Sequence, residues 1–387
     1  MRRLLTSTGV AVALMLAAAR VPADWAVSQF TDDDVKQGWL EIDGGQATWL
    51  AENPTYYDVY HWDGAAITNR SATGTSEIEP QISNGRLVWQ DDSYNVVYYD
   101  GSTSTIISGS AAEYNQYPVI CNGEIAWIGA SYPLGNVVWD VWFDDGIGAS
   151  SVWVSDHFQS PTQLGIADGR AVWESAVLAT DGYDVIMYDS TSDTVTNLTS
   201  DSLDDSYPDI GDGLIVWARE NGSSTDIYYR SYDGSTSAFL TSSSDWDDTV
   251  PVTDRGQIAW VRESTADHSV QEVWFWDGTT AMKIADGSWV DTVSLHNGCV
   301  VWNSDDGNDW EIYAWNGGAV CQLSDNDWED YNPRVRGGEI WWVGAGSLTD
   351  PSTDWEIYRA TPEPTTLALL ALGIPALCLG RRRRRAG

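Results

Sequence analysis

Positive charge is what this sequence has least of. Across 387 residues there are two lysines, Lys36 and Lys283, and 20 basic residues face 57 acidic ones. Between residues 24 and 360, 12 basic residues stand against 56 acidic, a net charge of −44. That balance excludes nucleic acid as a partner, because phosphate binding takes clustered Lys and Arg. It argues equally against an anionic membrane surface. Cations, cationic partners and neutral sugars remain, beside plain solubility and salt tolerance. Histidine is scarce too. His61, His157, His268 and His296 form no triad or metal spacing, and no nucleophile elbow or cofactor fingerprint accompanies them. No catalytic residue is assigned, although so many acids leave room for a carboxylate pair of glycosidase type. The four cysteines, Cys121, Cys299, Cys321 and Cys378, have no zinc spacing. Helical apolar periodicity is missing between residues 24 and 360, which removes the helix-rich fold classes.

What is present is a repeat. Eight times a glycine is followed four residues later by tryptophan: Gly45–Trp49, Gly85–Trp89, Gly123–Trp127, Gly169–Trp173, Gly213–Trp217, Gly256–Trp260, Gly298–Trp302 and Gly338–Trp342. Successive Trp lie 38 to 46 residues apart. The fifth repeat shows the unit: Pro208 to Gly213, Leu214-Ile-Val-Trp217, Asp226-Ile-Tyr-Tyr229, Tyr232-Asp-Gly234, then Phe239-Leu-Thr241. It reads as four short strands, A to D. Strand A starts at Pro208, Gly213 allows a tight A–B turn, Leu-Ile-Val-Trp suits a strand buried on both faces, and Asp-Gly closes the C–D hairpin. Strand A carries an apolar residue three before the glycine in most repeats: Ile42, Ile82, Ile120, Ile166, Ile210, Leu295 and Val335, with Thr253 in the sixth. Four strands in about 42 residues is a propeller blade.

The eighth repeat stops at Tyr358-Arg359-Ala360 without a strand D, and Val27-Ser-Gln-Phe30-Thr31 matches Val195 to Thr199 and Val320 to Ser324. The N-terminal strand is therefore expected to complete the last blade. The expectation is an all-β, eight-bladed propeller over residues 24–360, with seven blades if one repeat fails to form. In such a blade strand C separates Cys299 on strand B from Cys321 on strand D. Two strand spacings come to about 10 Å, beyond the roughly 7 Å a disulfide tolerates, so none is expected.

The Pro-x-Ile-x-x-Gly entry, the apolar run ending in an aromatic, Asp-Ile-Tyr at 226–228 or Glu-Ile-Tyr at 311–313 and 356–358, and the closing Leu-Thr at 198–199 and 240–241 resemble TolB-type propeller repeats of bacterial envelope proteins. The two ends carry addresses. Residues 1–23 have the charged start, apolar run and small residues of a secretory signal. At the other end, Pro362-Glu363-Pro364 precedes an apolar stretch from Thr365 to Leu379 and the cluster Arg381, Arg382, Arg383, Arg384 and Arg385. Residues 361–387 thus resemble a PEP-CTERM sorting signal. The apolar run is marginal for a hydrocarbon core that takes about 20 residues, and the arginines would hold the tail inside. The resemblance implies an exosortase-type sorting protease as partner and a Gram-negative exporter. It also implies transient inner-membrane anchoring through the C-terminal helix alone, then release to the cell surface or matrix. A plain membrane anchor is the alternative.

Long B–C and D–A loops share one face of the expected ring, and they are acidic. Their aromatics Tyr114, Trp246, Trp289 and Trp328, beside Asp248 and Asp330, would either plug gaps between blades or stack on sugars. Asp305, Asp306, Asn308 and Asp309 have calcium-ligand chemistry without the full EF-hand spacing; no other cofactor is suggested. An acid or amide opens strand C in every repeat: Asp58, Asn95, Asp140, Asp184, Asp226, Glu272, Glu311 and Glu356. Eightfold recurrence points to architecture. The functional expectation is a non-enzymatic exported surface or matrix protein whose acidic face binds a polysaccharide or protein partner. The alternative is a secreted carbohydrate-active enzyme using loop carboxylates.

Overall fold

The structure is a computed structural model, and it describes residues 25–109, 114–132, 137–146, 152–153, 159–176, 182–345 and 355–362. The expected signal at 1–23, His157, Cys378 and the tail from Glu363 onward lie outside the described residues. No helix among the described residues is long and apolar enough to cross a membrane.

Eight antiparallel four-stranded sheets make eight blades. Blade 5 is representative, with strands at Asp205–Gly211, Leu214–Asn221, Ser224–Ser231 and Ser237–Phe239. The eight A–B turns have left-handed backbone at both central residues, from Gly44-Gly45 and Asn84-Gly85 to Gly337-Gly338. That is the mirror-image hairpin turn whose twist matches the flanking strands. It explains why a glycine stands four residues before each tryptophan. The eight strand B tryptophans are all at most 2 % exposed.

The core lies between blades rather than within them. Eight apolar clusters each join two neighbouring blades. One joins Trp341, Val343 and Ile357 of blade 8 to Leu40 and Trp49 of blade 1, closing the ring. Consecutive A strands touch all the way round, Gln37–Asp43 meeting Asp330–Arg336 at the seam. Strand A is therefore innermost and lines the channel. Trp25–Gln29 pairs with Trp355–Pro362 and supplies the outer strand of blade 8.

Three details differ from the sequence reading. Strand A of blade 5 begins at Asp205, and Pro208 sits not at its start but at a bulge between Ser206 and Asp209, one of the few places in a sheet that needs no N–H. The closing strand ends at Gln29 rather than Thr31, and strand D of blade 5 ends at Phe239 rather than Thr241. In both, the threonine hydroxyl bonds the neighbouring strand just beyond the end of the ladder. The Cys299 and Cys321 thiols are free; Cys321 faces Ala314, which faces Val301, so a whole strand lies between them.

Candidate functional site

Seven of the eight A strands carry the same irregularity. Three residues before the inner apolar position, a non-glycine residue takes φ near +50°: Trp39, Glu79, Tyr117, Gln163, Tyr207, Val250 and Asn332. At each the register with strand B slips. Blade 7 alone lacks a register slip in strand A. A bulge re-aims a side chain and frees an N–H. Some of these freed N–H groups find acids of the preceding blade. Glu79 Oε2 accepts Tyr117 N at 2.8 Å, and Glu174 Oε2 accepts Tyr207 N at 2.9 Å.

The backbone at this position is architecture, but its side chain is not fixed by the core. Trp39, Tyr117 and Tyr207 are 56 %, 47 % and 41 % exposed. A cavity of about 360 Å³ opens on the channel, lined by A-strand residues of four successive blades. Trp39 and Tyr117 supply rings, while Gln81, Thr162 and Gln163 supply polar groups. Glu79 is its one carboxylate. Burial raises the Glu79 pKa, and the Tyr117 N–H partly offsets that.

The acids expected beside the loop aromatics lie elsewhere. Asp248 and Asp330 are fully enclosed in strand A, each two residues before the left-handed residue of the bulge. Asp248 Oδ1 accepts the Trp260 indole at 2.7 Å and Asp330 Oδ1 the Trp342 indole at 3.0 Å. Asp205 with Trp217 and Asn115 with Trp127 repeat the arrangement. These groups hold tryptophans. Tyr114 is wedged edge-on between Tyr94 and Tyr132. Trp246 and Trp328 are half-buried, and Trp289 is exposed. The four rings and two acids do not assemble into one platform.

The strand C acids brace the outer strand of their own blade. Asp184 accepts Thr199 Oγ1 at 3.2 Å, and that hydroxyl accepts Val185 N at 2.9 Å. Asp226 with Thr241 and Asp58 with Ser71 do the same. Neighbouring blades are linked by acids near the A–B turns, as Asp43 accepts Asn84 N and Asp254 accepts Asn297 N.

Two of the four residues expected to hold calcium are brought into one cluster. Asp306 and Asp309 come together, joined by Glu311 of strand C, with ligand oxygens within 4.8 Å of one another. Asp305 turns away to accept Gly307 N at 2.6 Å, and the Asn308 side chain lies against Asp309.

Residues 360–385 match the PEP-CTERM protein-sorting motif. The motif is the recognition signal of exosortase processing and marks an exported chain with a membrane-anchored sorting signal. No sequence match is found among curated proteins. Among solved structures the chain is similar to a puromycin hydrolase, with a TM-score of 0.56 and 11 % identity over 80 % of this chain. It spans 58 % of that enzyme's length. It is similar also to the β-propeller domain of the Trilobed protease from Pyrococcus furiosus, with a TM-score of 0.52 and 13 % identity over 84 % of this chain and 95 % of that one. A putative TolB from Agrobacterium tumefaciens matches over 58 % of this chain and 85 % of that one, with a TM-score of 0.39 and 13 % identity; the fold rests on the first two. At these identities the likeness is one of fold.

Proposed function

We propose that this is an exported binding propeller that holds a neutral or weakly polar saccharide chain in its channel, at the bulged A strands of blades 1 to 4. The observation that carries the reading is the pair Trp39 and Tyr117, exposed on one cavity beside Gln81, Thr162 and Gln163. Exposed rings cover the C–H faces of a sugar, and amides and hydroxyls meet its hydroxyl groups. The cavity, about 360 Å³, lies within the range of ligand pockets. The acidic ring disfavours a polyanion, so the ligand is uncharged or cationic. The sorting signal marks an exported chain, which supports a ligand met outside the cytoplasm. A lone carboxylate in the cavity favours binding over glycoside hydrolysis, which uses two.

The test is retention of the purified protein on the producing organism's exopolysaccharide, with release of reducing ends followed in parallel. Retention is expected without release. Trp39→Ala is expected to weaken it tenfold or more, about 1.4 kcal/mol, with little change in melting temperature. Release of reducing ends would establish the carbohydrate-active alternative instead. Undiminished retention by Trp39→Ala and Tyr117→Ala would move the site away from the channel.

A further inference from the structure

The acidic group on blade 7 is at odds with its counterparts. In blades 1 and 5 the strand C acid receives an amide donor from five residues earlier: Asn53 Nδ2 to Asp58 Oδ2 at 2.8 Å, and Asn221 Nδ2 to Asp226 Oδ2 at 2.8 Å. An amide from the outer strand also reaches the acid in blades 1 and 4, Asn69 to Asp58 at 2.7 Å and Asn197 to Asp184 at 2.8 Å. In blade 7 the acid is Glu311, and five residues earlier stands Asp306, a carboxylate in place of a donor. At the outer-strand position stands Gln322, which is exposed. Glu311 Oε1 still accepts Asn326 N at 2.7 Å, but Oε2 is buried with no partner. Asp309, 6 % exposed, has both carboxylate oxygens buried and short of hydrogen bonds, with only the Asn308 side chain pulling on them.

Three carboxylates therefore converge with buried oxygens that are short of proton donors. Their surroundings add negative charge. Asp327 and Glu329 lie near Asp309, while Asp330 shares a hydrogen bond with Glu311. No Lys, Arg or His among the described residues forms an ion pair with any of these acids. Burial raises the pKa of Asp309 and of Glu311, with Asn308 in part offsetting the first and Ser324 the second. Burying unpaired carboxylates costs several kcal/mol unless a counter-charge is supplied. The oxygen-only donor set is that of a hard divalent ion, and carboxylates with room for waters suit calcium's six to eight ligands.

We infer that Asp306, Asp309 and Glu311 form a calcium site that replaces, in blade 7, the amide donors bracing blades 1 and 5. The ion would tie the B–C loop of blade 7 to strand C. The site lies in a different blade from the channel cavity of blades 1 to 4, so the two proposals stand or fall separately.

The test is thermal unfolding and calorimetric titration of the purified protein after stripping with EDTA. Calcium chloride at a hundredfold excess over its Kd is expected to raise the melting temperature by about 4 °C. Sodium chloride of equal ionic strength should not. Asp309→Asn is expected to abolish the binding heat. Asp306→Asn restores the amide donor of blades 1 and 5, so it should lose the calcium response while melting above the wild type in EDTA. Identical melts in calcium and EDTA would overturn the inference. So would a full calcium response in both variants, which would place the ion on the general acidic surface.

Discussion

Asp248 is fully enclosed, and its oxygens are shared by the indole of Trp260 and the guanidinium of Arg262, whose Nε and Nη2 reach them at 2.7 Å. Arg262 in turn lies over the Trp274 ring. Burial raises the Asp248 pKa, and Arg262 pulls against it. Truncating such a carboxylate strands a buried guanidinium and a buried N–H, so Asp248→Ala should cost about 3–5 kcal/mol in chemical denaturation. Asp286→Ala, at an exposed acid, should cost within roughly 0.5 kcal/mol. Equal losses would mean Asp248 is not the anchor described. These enclosed acids were not legible in the sequence. The bulge after each one shifts the alternation of strand A by a residue, so Asp248 and Asp330 read as loop acids joined to an acidic run. The tryptophans were legible because strand B has no such slip.

At the scale of a strand, the recurring Leu-Thr is a latch. Thr31 Oγ1 donates to Glu356 and accepts Ile357 N at 2.8 Å, while Asp33 N donates to Glu356 at 2.9 Å. Thr31→Val leaves Glu356 and a strand N–H short of partners and should cost about 1–3 kcal/mol, read as a lower denaturation midpoint. Glu356 is pushed up to about 7, first by burial and then by Asp33 and Asp32, against the Thr31 and Asp33 hydrogen bonds. The unfolded chain releases this proton near about 4.3. Between those values the native state binds more protons than the unfolded one, so this group makes stability fall as pH rises and then level above 7. One proton limits the slope to about 1.4 kcal/mol per pH unit. His61 works the other way. Burial, with Arg70, lowers it to about 4, so its share of stability rises with pH up to about 6.5. The difference between variants isolates the first effect. Glu356→Gln should gain on the wild type steadily from pH 4.5 to 7, and parallel profiles would show that Glu356 carries no such shift. The repeated Leu-Thr marked where strand D ends but not how, because a hydroxyl latch and a ladder residue look alike in sequence.

For the whole ring, closure depends on five residues contributed from the other end of the chain. Val27 pairs with Ala360 and Trp25 with Pro362, the first residue of the Pro-Glu-Pro segment. The matching of Val27 to Thr31 with other D strands made this legible, since an incomplete last repeat leaves one place for an unassigned strand. Without it, Trp355–Pro362 would be an exposed edge, the kind that recruits other chains. Ala360, fully buried beside the blade 7 and blade 8 cluster, would be uncovered with it. The large negative charge of the ring keeps copies apart at low salt, and screening removes that protection as the Debye length shrinks. A variant lacking residues 25–31 should therefore stay dispersed at low ionic strength and form dimers or larger species at about 0.5 M salt, seen by light scattering. Val27→Lys keeps the backbone pairing, and Val27 is already 45 % exposed, so that variant should remain monomeric in both conditions. If the truncated chain stays monomeric in high salt with an unchanged melt, the closing strand is dispensable and the ring is held by the contact of blade 8 with blade 1 alone.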